Sequence, residues 1–95
     1  MITRIVKLHF QEDKISDFLA LFDQVVTKVN AFDGCQKMYM LRDIHNPTVF
    51  ITHSIWNSEN DLNTYRDSDL FQSIWPTIKP WFAEKAQAWS LSTDF

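Results

Sequence analysis

Glycine is almost missing: Gly34 is the only one in 95 residues. Phosphate-cradling loops use several glycines so that backbone amides can approach the ligand, which excludes P-loop and Rossmann-type nucleotide sites. Cysteine is equally scarce. Cys35 stands alone, so no internal disulfide can form, which fits a reducing compartment and leads us to expect a cytoplasmic protein. There is no CxxC or HxxxH spacing, and His9, His45 and His53 are scattered, so no metal site is expected. No run of basic residues occurs and the net charge is −3, which leaves nucleic acid without an electrostatic footprint. No apolar stretch reaches membrane-spanning length. In the opening "MITRIVKLHF", Arg4 and Lys7 stand where a secretory signal needs an unbroken apolar run, so neither a membrane role nor export is expected.

Apolar and aromatic residues, by contrast, are abundant, at 45% and 15%. The length suits a single domain over residues 1–95. A core of this size covers only about two thirds of the unfolded chain's surface, so this much apolar material suggests an oligomer that hides the remainder between subunits.

Residues 2–10, "ITRIVKLHF", alternate as a strand does, with Ile2, Val6, Leu8 and Phe10 on one face and Thr3, Ile5, Lys7 and His9 on the other. Over 14–31 the period changes. Ile15, Phe18, Leu19, Phe22, Val25, Val26 and Val29 form a helical stripe. Asp33-Gly34 ends the connection. Residues 35–43 read as a second strand, "IHNP" as a turn and 48–56 as a third strand. Ser58 is placed to cap a short helix reaching about Arg66, with Asp61 approximating a capping box, and Asp67 or Ser68 to cap the next. The tail "AQAWSLSTDF" reads as a fourth strand with Trp89, Leu91 and Phe95 on one face. The order β-α-β-β-α-β is the ferredoxin-like α+β arrangement, in which both helices cover one sheet face. The other face is expected to carry Ile5, Phe50 and Trp56 among Thr3, Lys7 and Thr52, and to pair with a second copy.

The densest aromatic stretch is "FQSIWPTIKPWF", residues 71–82. On a helical wheel Leu70, Phe71, Ile74, Trp75, Ile78, Trp81 and Phe82 fall within an arc of roughly 140°. They read as a buried face, with Pro76 and Pro80 pointing away. Pro76 removes a helical hydrogen bond and disfavours helical geometry at Trp75, so a break or kink is expected there. Trp75 is therefore the aromatic able to face a cavity.

The segment "FITHSIWNSENDLNTYRDSDLF", residues 50–71, resembles the antibiotic-biosynthesis-monooxygenase-like family. Trp56, Glu59, Leu62, Tyr65, Ser68 and Phe71 match that family's pattern in order, and "AFDGC" before the second strand extends the likeness over nearly the whole chain. The resemblance implies a ferredoxin-like domain that dimerises into an α+β barrel. It also implies cofactor-independent oxygenation of a small phenol or quinol by O2, or, in one branch, oxidative haem breakdown. At the positions where the haem-degrading branch has its functional Asn, Trp and His, this chain has Val6, Tyr65 and Trp75. No axial ligand for iron is offered, so no bound cofactor is expected. A mutarotase of the same barrel type is also disfavoured, since the first helix holds no His or Tyr.

A register that sets Leu8 against Ile51, Val6 against His53 and Arg4 against Ile55 matches apolar with apolar. It would place His53 on the helix-covered face, where a neutral imidazole could act as general base on a phenolic proton; otherwise His53 is a core or interface histidine. Tyr65 could hydrogen-bond a substrate oxygen, or simply bury its ring. The expected cavity is lined by Val6, Phe22, His53, Tyr65, Phe71 and Trp75, with His53 and Tyr65 catalytic and the others binding the ring. Arg4 reads as a pocket cation or a snorkelling edge residue, Met38 and Met40 as core filling, and Cys35 as structural. The alternative function is a non-catalytic dimer that binds a small aromatic metabolite.

Overall fold

A computed structural model describes all residues, 1–95. The chain forms β1 (Ile2–Phe10), α1 (Ile15–Asn30), β2 (Cys35–Arg42), β3 (Val49–Trp56), α2 (Glu59–Arg66), α3 (Asp69–Ile78) and β4 (Phe82–Ser92). Single 3-10 turns at Glu12–Lys14 and Lys79–Trp81 lead into α1 and β4. All strand pairs are antiparallel, in the order β2-β3-β1-β4, which is the ferredoxin-like topology.

Local chemistry explains most of the boundaries. Ser58 accepts a hydrogen bond from the Asp61 amide at 3.1 Å, and Ser68 one from the Phe71 amide at 3.2 Å, so each serine caps the helix it precedes. Gly34 has φ +87°, and a Cβ there would come within 2.4 Å of the Asp61 side chain. The chain's one glycine is thus required by backbone conformation and by the close approach of α2. Asn30 closes α1. Its Nδ2 donates to the carbonyls of Val26 and Met38 at 2.9 Å, and its Oδ1 accepts from the Met38 amide at 2.9 Å, tying the helix end to β2.

Three expectations need correction. α3 runs through Pro76 and gives way only after Ile78. The missing donor would have paired with the carbonyl of Gln72, an exposed residue, so water can replace it and the helix survives. Trp81 and Phe82 therefore leave the helical wheel; Phe82 opens β4, which begins four residues before the expected tail strand. On α1, Leu19 is exposed, and Leu21 packs against the core instead.

The third correction has the widest consequence. β1 and β3 pair with Val6 opposite Thr52, Leu8 opposite Phe50 and Ile5 opposite His53. This is one residue away from the apolar-matched register, so every β3 side chain lies on the face opposite to the one expected. Phe50 and Trp56 are buried beneath the helices, at 1% and 0% exposure, and Thr52 lies on that side too. The open face instead carries Ile5, Ile51, His53 and Ile55 in the centre, with Leu41 on one side and Trp89 and Leu91 on the other.

The core sits at one end of the covered face. Leu8, Phe10, Phe18, Phe50 and Ile78 form a continuous cluster, with the rings of Phe10 and Phe18 stacked at 4.2 Å. Truncating one such aromatic costs about 3–5 kcal/mol.

Candidate functional site

Along the covered face the side chains change size. Near the hairpin end, Leu8, Phe10 and Phe50 fill the space under the helices. Toward the other end, β3 presents Thr52 and Ser54, and β4 presents Ala86 and Ala88, with Ala88 directly opposite Val6. Small residues over the same helices leave volume unfilled. The result is a cavity of about 330 Å3 between the sheet and the three helices.

Each element contributes by its own periodicity. β1 sends in Arg4 and Val6, α1 Phe22 and Val25, α2 Tyr65 and Arg66, and α3 Phe71 and Trp75. Arg66 and Ala88 are exposed and mark the mouth. Seventeen of the 21 lining residues are hydrophobic, and none is Asp, Glu or His. An aromatic series forms one wall. Tyr65 stacks on Trp56 at 4.9 Å and meets Phe71 edge-on at 5.4 Å; Phe71 lies nearly parallel to Trp75 at 6.0 Å. Such offset and edge contacts suit a flat aromatic guest.

Tyr65 is the polar group best placed within the aromatic wall. Burial, and secondarily the nearby Cys35 thiol, push its hydroxyl up to about 12. Near neutrality it is therefore a hydrogen-bond donor rather than a base. Burial also pushes the Cys35 thiol up, against a hydrogen bond from the Lys37 backbone that favours the thiolate. Ser54, the one buried polar residue, accepts from the Trp56 indole at 2.9 Å. Burial, and then the neighbouring positive charge of Arg66, lower the guanidinium of Arg4; its Nη1 donates to the Ser90 hydroxyl at 2.9 Å.

Of the six expected lining residues, Val6, Phe22, Tyr65, Phe71 and Trp75 surround this cavity. His53 does not. The β3 register turns it to the open face, where its Nδ1 is hydrogen-bonded to the Tyr39 hydroxyl and the two rings meet edge-on. A general base at His53 cannot reach a guest under the helices from there. Sequence reasoning missed Arg66 and the hydroxyl pair Thr52 and Ser54. The available signal was the run of small residues, Thr52, Ser54, Ala86 and Ala88, on positions whose strand neighbours are large. No three His, Cys, Asp or Glu side chains converge closely enough to hold a metal ion. No helix is long and apolar enough to cross a membrane.

A four-stranded antiparallel sheet covered on one face by helices, with an aromatic-walled cavity between the layers, defines a ferredoxin-like α+β domain. Residues 1–75 match the family model described as antibiotic biosynthesis monooxygenase, and the chain belongs to that family as a monooxygenase-like module. No curated protein matches it. Among solved structures it is similar to an antibiotic biosynthesis monooxygenase (TM-score 0.92, 17% identity, 98% of each chain covered). It is also similar to a conserved protein from Methanosarcina mazei Go1 (TM-score 0.89, 20% identity, 96% of this chain and 91% of that one). A third, Rv0793 from Mycobacterium tuberculosis, gives TM-score 0.89 at 18% identity, covering 96% of this chain and 92% of that one. At such identities the likeness carries the fold alone.

Proposed function

We propose that the chain is a cofactor-independent monooxygenase acting on a small phenol or quinol with O2 in the cavity under the helices. The observation that carries this reading is the combination of an aromatic wall that includes Tyr65 and two arginines without a carboxylate in the lining. The apolar walls hold the ring. Tyr65 donates to a substrate oxygen, and the positive mouth favours the phenolate over the neutral phenol, so the proton leaves to solvent without a base inside. The anion passes one electron to O2; superoxide and the substrate radical join to form a C–O bond. Loss of water from the peroxide then gives a hydroxyquinone. Overall, one quinol and one O2 become one hydroxyquinone and one water, with the substrate supplying every electron.

The working unit we propose is a homodimer paired through the open faces. Ile5, Ile51 and Ile55 lie at their centre, and Leu41, Trp89 and Leu91 are 51%, 44% and 49% exposed.

Oxygen uptake over a panel of quinols and phenols, with autoxidation subtracted, tests the catalytic reading. Saturable uptake of one O2 per hydroxyquinone, without peroxide release and falling at least tenfold in Tyr65→Phe, is the expected result. The lack of any Asp, Glu or His in the lining favours one second reading, a non-catalytic module that binds a small aromatic metabolite. Saturable binding with uptake never above autoxidation would select it.

A further inference from the structure

The polar part of the cavity is one-sided. Four of the 21 lining residues fall outside the hydrophobic set: Arg4, Thr52, Ser54 and Arg66. Two are cations and none is an anion. The carboxylates at salt-bridge distance from a basic side chain are Glu84, beside His9, and Asp17, beside Lys14, so none sits at that distance from either guanidinium. Both arginines line the same cavity, and the charge of Arg66, after burial, disfavours the charged form of Arg4. Like charges at the rim of an apolar space repel, and an anion between them relieves that repulsion. The covered face supplies no such anion.

The geometry also limits the anion. Arg4 already spends one arm on Ser90, and the Ser54 hydroxyl is engaged by Trp56. Ser54 keeps its own O–H and Thr52 its hydroxyl, but the charged donors are the remaining arms of the two guanidiniums, which suit a singly charged, two-oxygen group. A phosphomonoester would bring a second charge and a third oxygen toward a wall that is otherwise apolar. Behind the arginines, Phe22, Tyr65, Phe71 and Trp75 leave room for a ring.

We infer that the cavity takes a planar aromatic carboxylate, its carboxylate held between Arg4 and Arg66 and its ring against Tyr65, Phe71 and Trp75. This rests on the aromatic-binding reading above and narrows its ligand from any phenol or quinol to one with an acidic edge. The arginines orient the guest: the charged edge, with any phenolic oxygen beside the carboxylate, stays at the mouth and the apolar edge points inward.

The test is calorimetric titration with 2-naphthoate, 2-naphthamide and 2-naphthol, which share a ring system and differ in charge. Wild type is compared with Arg4→Gln and Arg66→Gln. The second variant lies on the exposed last turn of α2 and keeps the experiment decisive if the first does not fold. The expected result is 2-naphthoate binding at least tenfold tighter than 2-naphthamide, with each substitution weakening 2-naphthoate about tenfold and leaving 2-naphthamide unchanged. High salt should weaken the acid alone. Equal binding of acid and amide, or a preference that survives Arg66→Gln, would overturn the acidic-edge inference while leaving the aromatic-binding reading intact. Failure of all three probes to bind would overturn both.

Discussion

The two faces of the sheet are built from alternate residues of the same four strands, yet they have opposite characters. The covered face holds Arg4, Val6, Thr52, Ser54 and Trp56, and turns from solid core into cavity as its side chains shrink. The open face holds Ile5, Ile51 and Ile55, and also the Tyr39–His53 pair. The conventional marker of chemistry, a histidine, is on the face without a cavity. The cavity has instead a tyrosine and two arginines. Strand parity, a matter of one residue in register, therefore decides which groups can meet a guest.

Four experiments separate the two faces. Trp56→Ala attacks the covered face at its most completely buried side chain. It removes a fully buried ring, its stack on Tyr65 and its bond to Ser54, and is expected to cost about 3–5 kcal/mol in urea denaturation. A loss below about 1 kcal/mol would mean that this end of the covered face is not packed as described. The open face is attacked by Trp89→Lys with Leu91→Lys. Light scattering should give twice the 11.3 kDa chain mass for wild type and the single-chain mass for the double variant. A monomeric wild type would remove the dimer from the proposal.

A subtler test uses alkaline pH. Tyr65 is held above its ordinary value near 10, at about 12, so the folded state grips this proton more tightly than the unfolded chain. Its contribution is complete below about pH 10 and is lost as pH rises through about 12. Denaturation curves should show wild type losing stability over this range relative to Tyr65→Phe, and parallel curves would contradict burial of the hydroxyl. The smallest effect is expected from His53→Ala, which should change 2-naphthoate affinity by no more than about twofold, because the imidazole and the cavity are on different faces. A large loss would return His53 to the site.

Much of this was legible in the chain. The strand-helix alternation, the serine caps and the need for Gly34 follow from period and turn chemistry, and Val6, Phe22, Tyr65, Phe71 and Trp75 were legible as neighbours. The parity of β3 was not. In "TVFITHSIW" one alternate set is Val49, Ile51, His53 and Ile55, and the other is Thr48, Phe50, Thr52, Ser54 and Trp56. Matching apolar with apolar selects the isoleucines for the interior. That rule fails when the outer face is itself apolar and the inner one needs small hydroxyl residues to make room. Pro76 misled for a related reason: a broken hydrogen bond matters less where the orphaned carbonyl faces water.

The contact between Gly34 and Asp61 restricts how the chain can vary in length. It presses the α1–β2 turn against the first turn of α2, the helix that carries Tyr65 and Arg66, and the Asn57 amide donates to the Gly34 carbonyl at 2.8 Å in the same place. An insertion there would displace the mouth. The β2–β3 hairpin, whose turn bonds run within the exposed segment around Asp43 and Asn46, touches nothing of the kind. Extra residues, a purification tag or a fluorescent label are best accommodated at that hairpin, and length changes between residues 31 and 35 are the ones this molecule should reject.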